Sequence, residues 1–257
     1  MSGLKAQWFG RLFVFCMSLV AGGAAAGNDA LRVAVASNFA ATAKLVAREF
    51  TATTGQDVEL IISSTGKLYA QIVRGAPFDI FMSADFKRPV MLRDAGLSDE
   101  VVIYAEGVLA FWSKMPAVAG NVCSEEPLLD RARRIAIANP EVAPYGEAAE
   151  ALLSDPKLTE LVNGKLVRSE SVGQAYSLVA MDAVDVGLVA FSQVMHYVGV
   201  NGHCVIPVDS SRHLPIQQAA TVISRGNAAA TQFIEFLSTP QTSALIKSAG
   251  YGDARAK

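Results

Sequence analysis

The sequence predicts an α/β fold, in which buried strands alternate with helices that cover them. Three features point there. Short, nearly continuous apolar runs such as Leu31–Ala36 read as strands buried on both faces. Stretches with apolar residues at helical spacing follow those runs and close at Gly or Pro. The alternation runs once to about Gly107 and then starts again, which predicts two units of similar build with largely parallel sheets.

Residues 1–26 stand outside this scheme. Lys5 and Arg11 form a positive head, residues 12–20 an apolar run, and Ala24-Ala25-Ala26 a small-residue cleavage site. That is the pattern of a secretory signal peptide, too short for a membrane span. Cys16 follows Phe15 and not a small residue, so no lipid anchor is read, and no later run is long and apolar enough to cross a bilayer. The mature chain is therefore expected to be soluble and exported.

The first strand is Leu31–Ala36, and Ser37-Asn38 are expected to cap a helix with Phe39, Ala43, Val46, Ala47 and Phe50 on one face, closed by Gly55. Residues 58–62 make a second strand. Ser63-Ser64-Thr65-Gly66 halts it and supplies the N-cap of a helix carrying Leu68, Ile72 and Val73, which Gly75-Ala76-Pro77 ends. A third strand over 79–82 leads to a helix around 89–93 with Pro89 in its first turn, where a missing N–H is harmless. Strands over 101–104 and 108–112 bracket the expected crossing near Gly107, and 115–121 is a loop of small residues.

In the second unit a strand at 134–138 leads through a loop, 139–145, to a helix running from Gly146 through Leu153. A short strand at 165–167, a turn at 169–172 and a helix from Gly173 follow. Then come a strand at 185–190, a helix at 191–197 and a last strand at 205–208. Residues 216–223 read as a strand returning to the first unit, followed by helices over Ala228–Leu237 and 242–249, with 253–257 frayed. The expected boundaries are 27–107 plus 210–257 for one lobe and 108–209 for the other.

Composition narrows the partners. The chain of 257 residues carries 22 basic and 24 acidic residues. Without 1–26 the count is 20 against 24, a formal charge of −4. Nucleic acids and acidic membranes require a basic surface and are excluded as expected partners. Any anion bound here must be held by local geometry and not by the overall field. Cys123 and Cys204 remain after processing; in an oxidising compartment such a pair is more often bridged than free, two buried thiols being the alternative.

Four strand-to-helix junctions share one character: Ser37-Asn38, Ser63-Ser64-Thr65, Pro144-Tyr145-Gly146 and Ser171-Val172-Gly173. Ligands in open α/β sheets bind beyond the carboxyl ends of strands, where such junctions gather. Helix starts there offer unpaired N–H groups and the positive end of the dipole. Capping alone accounts for Ser or Asn at any single junction. The set of four, two in each unit and none with a charged residue at the capping position, points to a cleft lined by neutral donors. A fully deprotonated tetrahedral dianion only accepts hydrogen bonds, so a donor-only site suits molybdate, tungstate or sulfate. Phosphate keeps a proton near neutral pH and gains from a carboxylate acceptor, which such a site withholds. Glu147 and Glu170 lie beside the junctions and are expected to point outward.

The segments Ala36-Ser37-Asn38-Phe39, Ser64-Thr65-Gly66-Lys67-Leu68-Tyr69-Ala70-Gln71-Ile72, Gly75-Ala76-Pro77-Phe78-Asp79, Phe81-Met82-Ser83-Ala84-Asp85, Ala143-Pro144-Tyr145-Gly146 and Ser171-Val172-Gly173-Gln174-Ala175 together resemble the periplasmic molybdate-binding proteins of ABC importers. The resemblance covers essentially the mature chain. It implies a two-lobed periplasmic-binding-protein-like fold of type II, closing by a hinge on one oxyanion. By position it places ligands at Ser37 with Asn38 beside it, at Thr65 or Ser64, at the backbone of Tyr145, and at the N–H of Val172. One branch of the family carries a tyrosine where this chain has Ala190, and the Tyr145 side chain is expected to replace it. The resemblance also implies a monomeric binding protein without a cofactor, in the periplasm, that delivers molybdate, and tungstate with it, to an inner-membrane permease.

Other motifs fall away. Thr65-Gly66-Lys67 imitates the tail of a P-loop, but Ile61 stands where the first Gly is needed and Leu68 where Ser or Thr belongs. Lys67 then reads as a solvated helix residue. His196, His203 and His213 lack close metal-ligand spacing, so the only metal expected at the site is the one inside the oxyanion. Asp79 and Asp85 flank a strand and are expected to serve turns and caps. Two alternatives stay open: a sulfate receptor, and an enzyme using the same donors as an oxyanion hole.

Overall fold

The computed structural model describes residues 29–115, 123–195, 197 and 203–254. The expected leader, most of the loop at 115–121 and residues 255–257 lie outside these. In chain order the elements are β1 (Leu31–Ala36), α1 (Ala40–Thr54), β2 (Val58–Ser63), α2 (Thr65–Val73), β3 (Ile80–Ser83), α3 (Lys87–Asp94) and β4 (Val102–Gly107). Then come β5 (Leu109–Ser113), α4 (Glu125–Arg131), β6 (Ile135–Ala138), α5 (Pro144–Leu153), α6 (Pro156–Val162), β7 (Leu166–Ser169), α7 (Val172–Ala180), β8 (Val186–Ala190), α8 (Phe191–Met195) and β9 (Cys204–Pro207). The chain ends with β10 (Ile216–Val222), α9 (Ala228–Leu237) and α10 (Pro240–Ser248).

These strands form two five-stranded sheets, ordered β2-β1-β3-β10-β4 and β7-β6-β8-β5-β9. Each sheet has a parallel half, β2-β1-β3 and β7-β6-β8. Each also has an antiparallel strand beside it: β10 against β3 and β4, and β5 against β8 and β9. The expectation of largely parallel sheets is thus corrected to mixed ones. β5 and β10 arrive from the opposite sheet without a covering helix, so nothing forces them parallel. The chain passes between sheets from β4 to β5 through Val108 alone, and back from β9 to β10. The result is the two-lobed α/β architecture.

Strand alternation sets the core. Val33 and Val35 of β1 pack with Phe39, Phe50, Phe233 and Leu237 beneath α1 and α9, while Ala34 faces Leu68, Ile72 and Leu92 under α2 and α3. The other sheet buries Phe111, Trp112, Leu188 and Val189. Ala36 and Ala84, at the ends of β1 and β3, join that second core, so the two lobes are packed against each other. Cys123 and Cys204 are bridged, with Cα atoms 5.5 Å apart, which settles the pair as a disulfide anchoring β9. Helices α4 and α6 are not among the expected elements, since seven residues apiece hold too few turns to show a periodic face. Several boundaries shift by a residue or two. The last helix begins at Pro240, and Asp253, expected to be frayed, is held in place as its carboxylate accepts from Lys247 Nζ at 2.9 Å.

Candidate anion site

The end of β1 departs from the expected geometry. Ser37 and Asn38 do not cap α1; with Phe39 they form a separate 3₁₀ turn before it. This frees the Ser37 hydroxyl to reach the other lobe, where its Oγ accepts from the Gly173 N–H at 3.2 Å. Asn38 is buried. Its Nδ2 donates to Gln218 Oε1 at 2.7 Å and to the Tyr251 hydroxyl at 3.3 Å, and its own carbonyl accepts from that hydroxyl at 2.9 Å.

At the end of β2, Ser64 stands at the N-cap of α2 in extended conformation, yet its hydroxyl makes no capping bond. Ser64 Oγ is buried and has no hydrogen-bond partner among the described residues. Thr65, also buried, instead accepts from the Ala84 N–H at 3.1 Å. The Gly66 N–H donates across the lobes to the Val142 carbonyl at 2.9 Å. A Cβ on Gly66 would lie 2.9 Å from Val142 Cα, so only glycine permits this approach.

In the facing lobe α5 begins at Pro144, two residues earlier than expected, and Tyr145 is its second residue. Proline at the first helical position loses no bond, because the N–H groups of a first turn have no intrahelical acceptor. The same holds for Val172, the first residue of α7, whose N-cap Ser171 accepts from the Gln174 N–H at 3.2 Å. The Tyr145 side chain is 1% exposed, and burial pushes its phenol well up, so it stays neutral. Its hydroxyl lies against Gly107 and close to Gln218, at the β4–β5 crossing, and has no hydrogen-bond partner among the described residues. Ala190 ends β8 and leaves its own N–H to Gln193 Oε1 at 3.3 Å.

These contacts join the four junctions in two pairs across the lobes. α2 meets the lead-in to α5 through Gly66 and Val142, and the turn after β1 meets α7 through Ser37 and Gly173. Beside them a groove of about 510 Å³ is lined by Ser37, Asn38, Lys44, Ser171, Gly173 and Tyr176, among others. Among the described residues every buried polar side chain is uncharged. Glu147 is exposed, and Glu170 lies at the rim, where it takes Lys67 Nζ from the other lobe at 2.6 Å. Lys67 is therefore not merely solvated; it pairs across the cleft. Arg88, which pairs with Asp85, also bridges the lobes by donating to the Glu141 carbonyl at 3.2 Å. Among the described residues no group of three His, Cys, Asp or Glu side chains is placed to hold a metal ion. The chemistry of the place is that of neutral donors and three helix starts, suited to an anion stripped of water.

Sequence reasoning does not anticipate Gln218, Tyr251 or Val142, and it places the crossing near Gly107 without its contact to Tyr145. Gln218 carries no local signal, since β10 also holds Gln217 and Thr221.

Residues 31–252 match the family described as bacterial extracellular solute-binding protein. The molybdate-binding protein ModA of Azotobacter vinelandii is 36% identical over 228 residues, 86% of this chain and 89% of that protein. ModA of Rhodobacter capsulatus is 36% identical over 232 residues, 89% of each chain. The solved periplasmic molybdate-binding protein of A. vinelandii superposes with a TM-score of 0.77 at 35% identity, covering 86% of this chain and 98% of that one.

Proposed function

The chain belongs to the bacterial extracellular solute-binding proteins, and we propose that its ligand is molybdate, with tungstate accepted alongside it. It captures the oxyanion outside the cytoplasm and passes it to the permease of an ABC importer, acting as a monomer and catalysing no reaction. The observation that carries this reading is the convergence of four junctions from facing lobes with no buried charged side chain among the described residues. A dianion that only accepts hydrogen bonds matches such a site. Protonated phosphate, which must also donate, does not.

The proposed ligands are the hydroxyls of Ser37 and Ser64, the turn at Asn38, and the N–H groups of Tyr145 and Val172. Between the neighbouring candidates Ser64 and Thr65, the buried Ser64 hydroxyl, which has no partner among the described residues, is favoured; the Thr65 hydroxyl accepts from Ala84, as Ser37 does from Gly173, and keeps a hydrogen to donate. The position of the Tyr145 phenol beside Gly107 favours a backbone contribution from that residue over a hydroxyl replacing the absent tyrosine at Ala190. The anion links the lobes and holds them closed, with the turning points at the two crossings between sheets, close to the boundaries 27–107 plus 210–257 and 108–209.

The test is thermal denaturation with molybdate, tungstate, sulfate and phosphate. Ligand at 100 times its dissociation constant adds about 2.7 kcal/mol of stability. Molybdate and tungstate are expected to raise the melting temperature while phosphate leaves it unchanged. A sulfate shift equal to that of molybdate at equal concentration would overturn the assignment.

A further inference from the structure

We propose that Gln218 is a positioning residue for the anion site: it holds the Asn38 side chain from the strand by which the chain returns between lobes. This inference rests on the molybdate reading above and adds a residue that touches no ligand.

Gln218 is fully buried in β10 and is followed by Ala219 and Ala220, which are also fully buried. An amide buried without partners is costly, because it gives up its hydrogen bonds to water and gains none. Gln218 meets that cost in one orientation only. Its Nε2 donates to the Ile216 carbonyl at 3.1 Å, and a carbonyl can only accept. The Oε1 atom must then face Asn38, where it takes the Nδ2 hydrogen at 2.7 Å. The orientation of the Asn38 amide follows from that of Gln218, which follows from a main-chain group. Tyr251 holds the residue as well: its hydroxyl accepts from Asn38 Nδ2 at 3.3 Å and donates to the Asn38 main-chain carbonyl at 2.9 Å, while Asn38 Oδ1 has no partner among the described residues.

The ladder between β10 and β4 is irregular at this point. Gln218 opposes Ala105 while Ala219 opposes Ile103, so Tyr104 is skipped. Such bulges re-aim side chains and bend strands. The skipped Tyr104 packs edge-on against Phe39, the neighbour of Asn38, with ring centroids 5.1 Å apart. The β10–β4 pair also ends at Gly107, against which the Tyr145 hydroxyl from the other lobe lies. One buried contact therefore joins the β1 junction, the returning strand and the crossing near Gly107. Asn38 follows Ser37 directly, and Ser37 meets Gly173, so a shift in Asn38 displaces the donor set itself.

The experiment titrates the mature chain with molybdate by calorimetry, comparing the parent, Gln218→Met, Asn38→Ala and the double variant. Met preserves volume and removes both hydrogen bonds. The expected result is about tenfold weaker binding for Gln218→Met, the worth of one to two buried hydrogen bonds. In the Asn38→Ala background the same change is expected to cost no more than about twofold, because a residue acting through Asn38 has nothing left to position. A purely structural role predicts lowered stability with parental affinity, or losses that add; either outcome overturns the proposal. Should Gln218→Met fail to fold, exchange of the Asn38 side-chain amide hydrogens in the molybdate-bound parent decides: strong protection supports the proposal, and exchange at the rate of a free amide overturns it. A parent that ignores molybdate would overturn the binding reading and this inference with it. A parent that binds, beside a Gln218→Met that binds equally well, overturns this inference alone.

Discussion

The two walls of the cleft reach the same chemistry by different means. The lobe of β1 and β2 presents side chains, the hydroxyls of Ser37 and Ser64, with Asn38 bracing the turn beside Ser37. The facing lobe presents main chain, through the first-turn N–H groups of α5 and α7. A wall of hydroxyls can be dismantled by point substitution, whereas a wall of N–H groups is indifferent to most changes of side chain. Only proline removes a main-chain donor.

Val172→Pro is accordingly the sharpest way to break the comparison. Proline is tolerated at a first helical position, and Ser171, at φ −154° and ψ 161°, already has the extended conformation that a following proline demands. Molybdate affinity is expected to fall by about 100-fold, the upper range for a hydrogen bond to a charged group, while the unliganded melting temperature stays close to the parent. Val172→Ala, which keeps the N–H but trims a side chain buried in the core, is expected to lower stability and yet bind within about twofold of the parent. Equal losses for both would show that the side chain, and not the backbone, is what matters.

The hydroxyl wall is tested next. Ser64→Ala is expected to weaken binding by about tenfold, near 1.4 kcal/mol, with little change in unliganded stability. Thr65→Val should do the reverse. It orphans the Ala84 N–H and is expected to cost about 1–3 kcal/mol of stability, with affinity much less affected. If the two variants exchanged these effects in parallel calorimetric and denaturation measurements, Thr65 would be the ligand.

The smallest effect is expected at the rim. Lys67 and Glu170 have side chains 44% and 71% exposed, so their pair across the lobes is screened by solvent. Lys67→Ala is expected to change affinity by less than about 1 kcal/mol, and raising the salt to about 1 M should erase the difference. A larger effect that survives salt would place electrostatics, not neutral donors, at the centre of capture.

Much of this was legible in local pattern. The apolar run at Leu31–Ala36, the hydroxyl cluster at Ser63-Ser64-Thr65 and the stops at Gly55 and Gly75 each act within a few residues, so strand, junction and helix could be read directly. Short α4 and α6 could not, nor could the position of Pro144 inside its helix be told from a loop. The bulge at Tyr104 and the bond from Asn38 to Gln218, 180 residues apart, leave almost no local trace. An amide beside Gln217, in a strand that also carries Thr221, gives little sign of being the buried one.

Alone, then, the sequence determined the alternation of strands and helices and the four neutral junctions, because propensity and capping are local, while the bridge between Cys123 and Cys204 took the structure to settle. Tertiary structure decided which hydroxyl is left unpartnered, that Lys67 pairs across the cleft, and that the Tyr145 phenol sits at the crossing between sheets. Those outcomes depend on which groups two lobes bring within about 3 Å of each other, the reach of a hydrogen bond, and no period along one chain encodes such a distance.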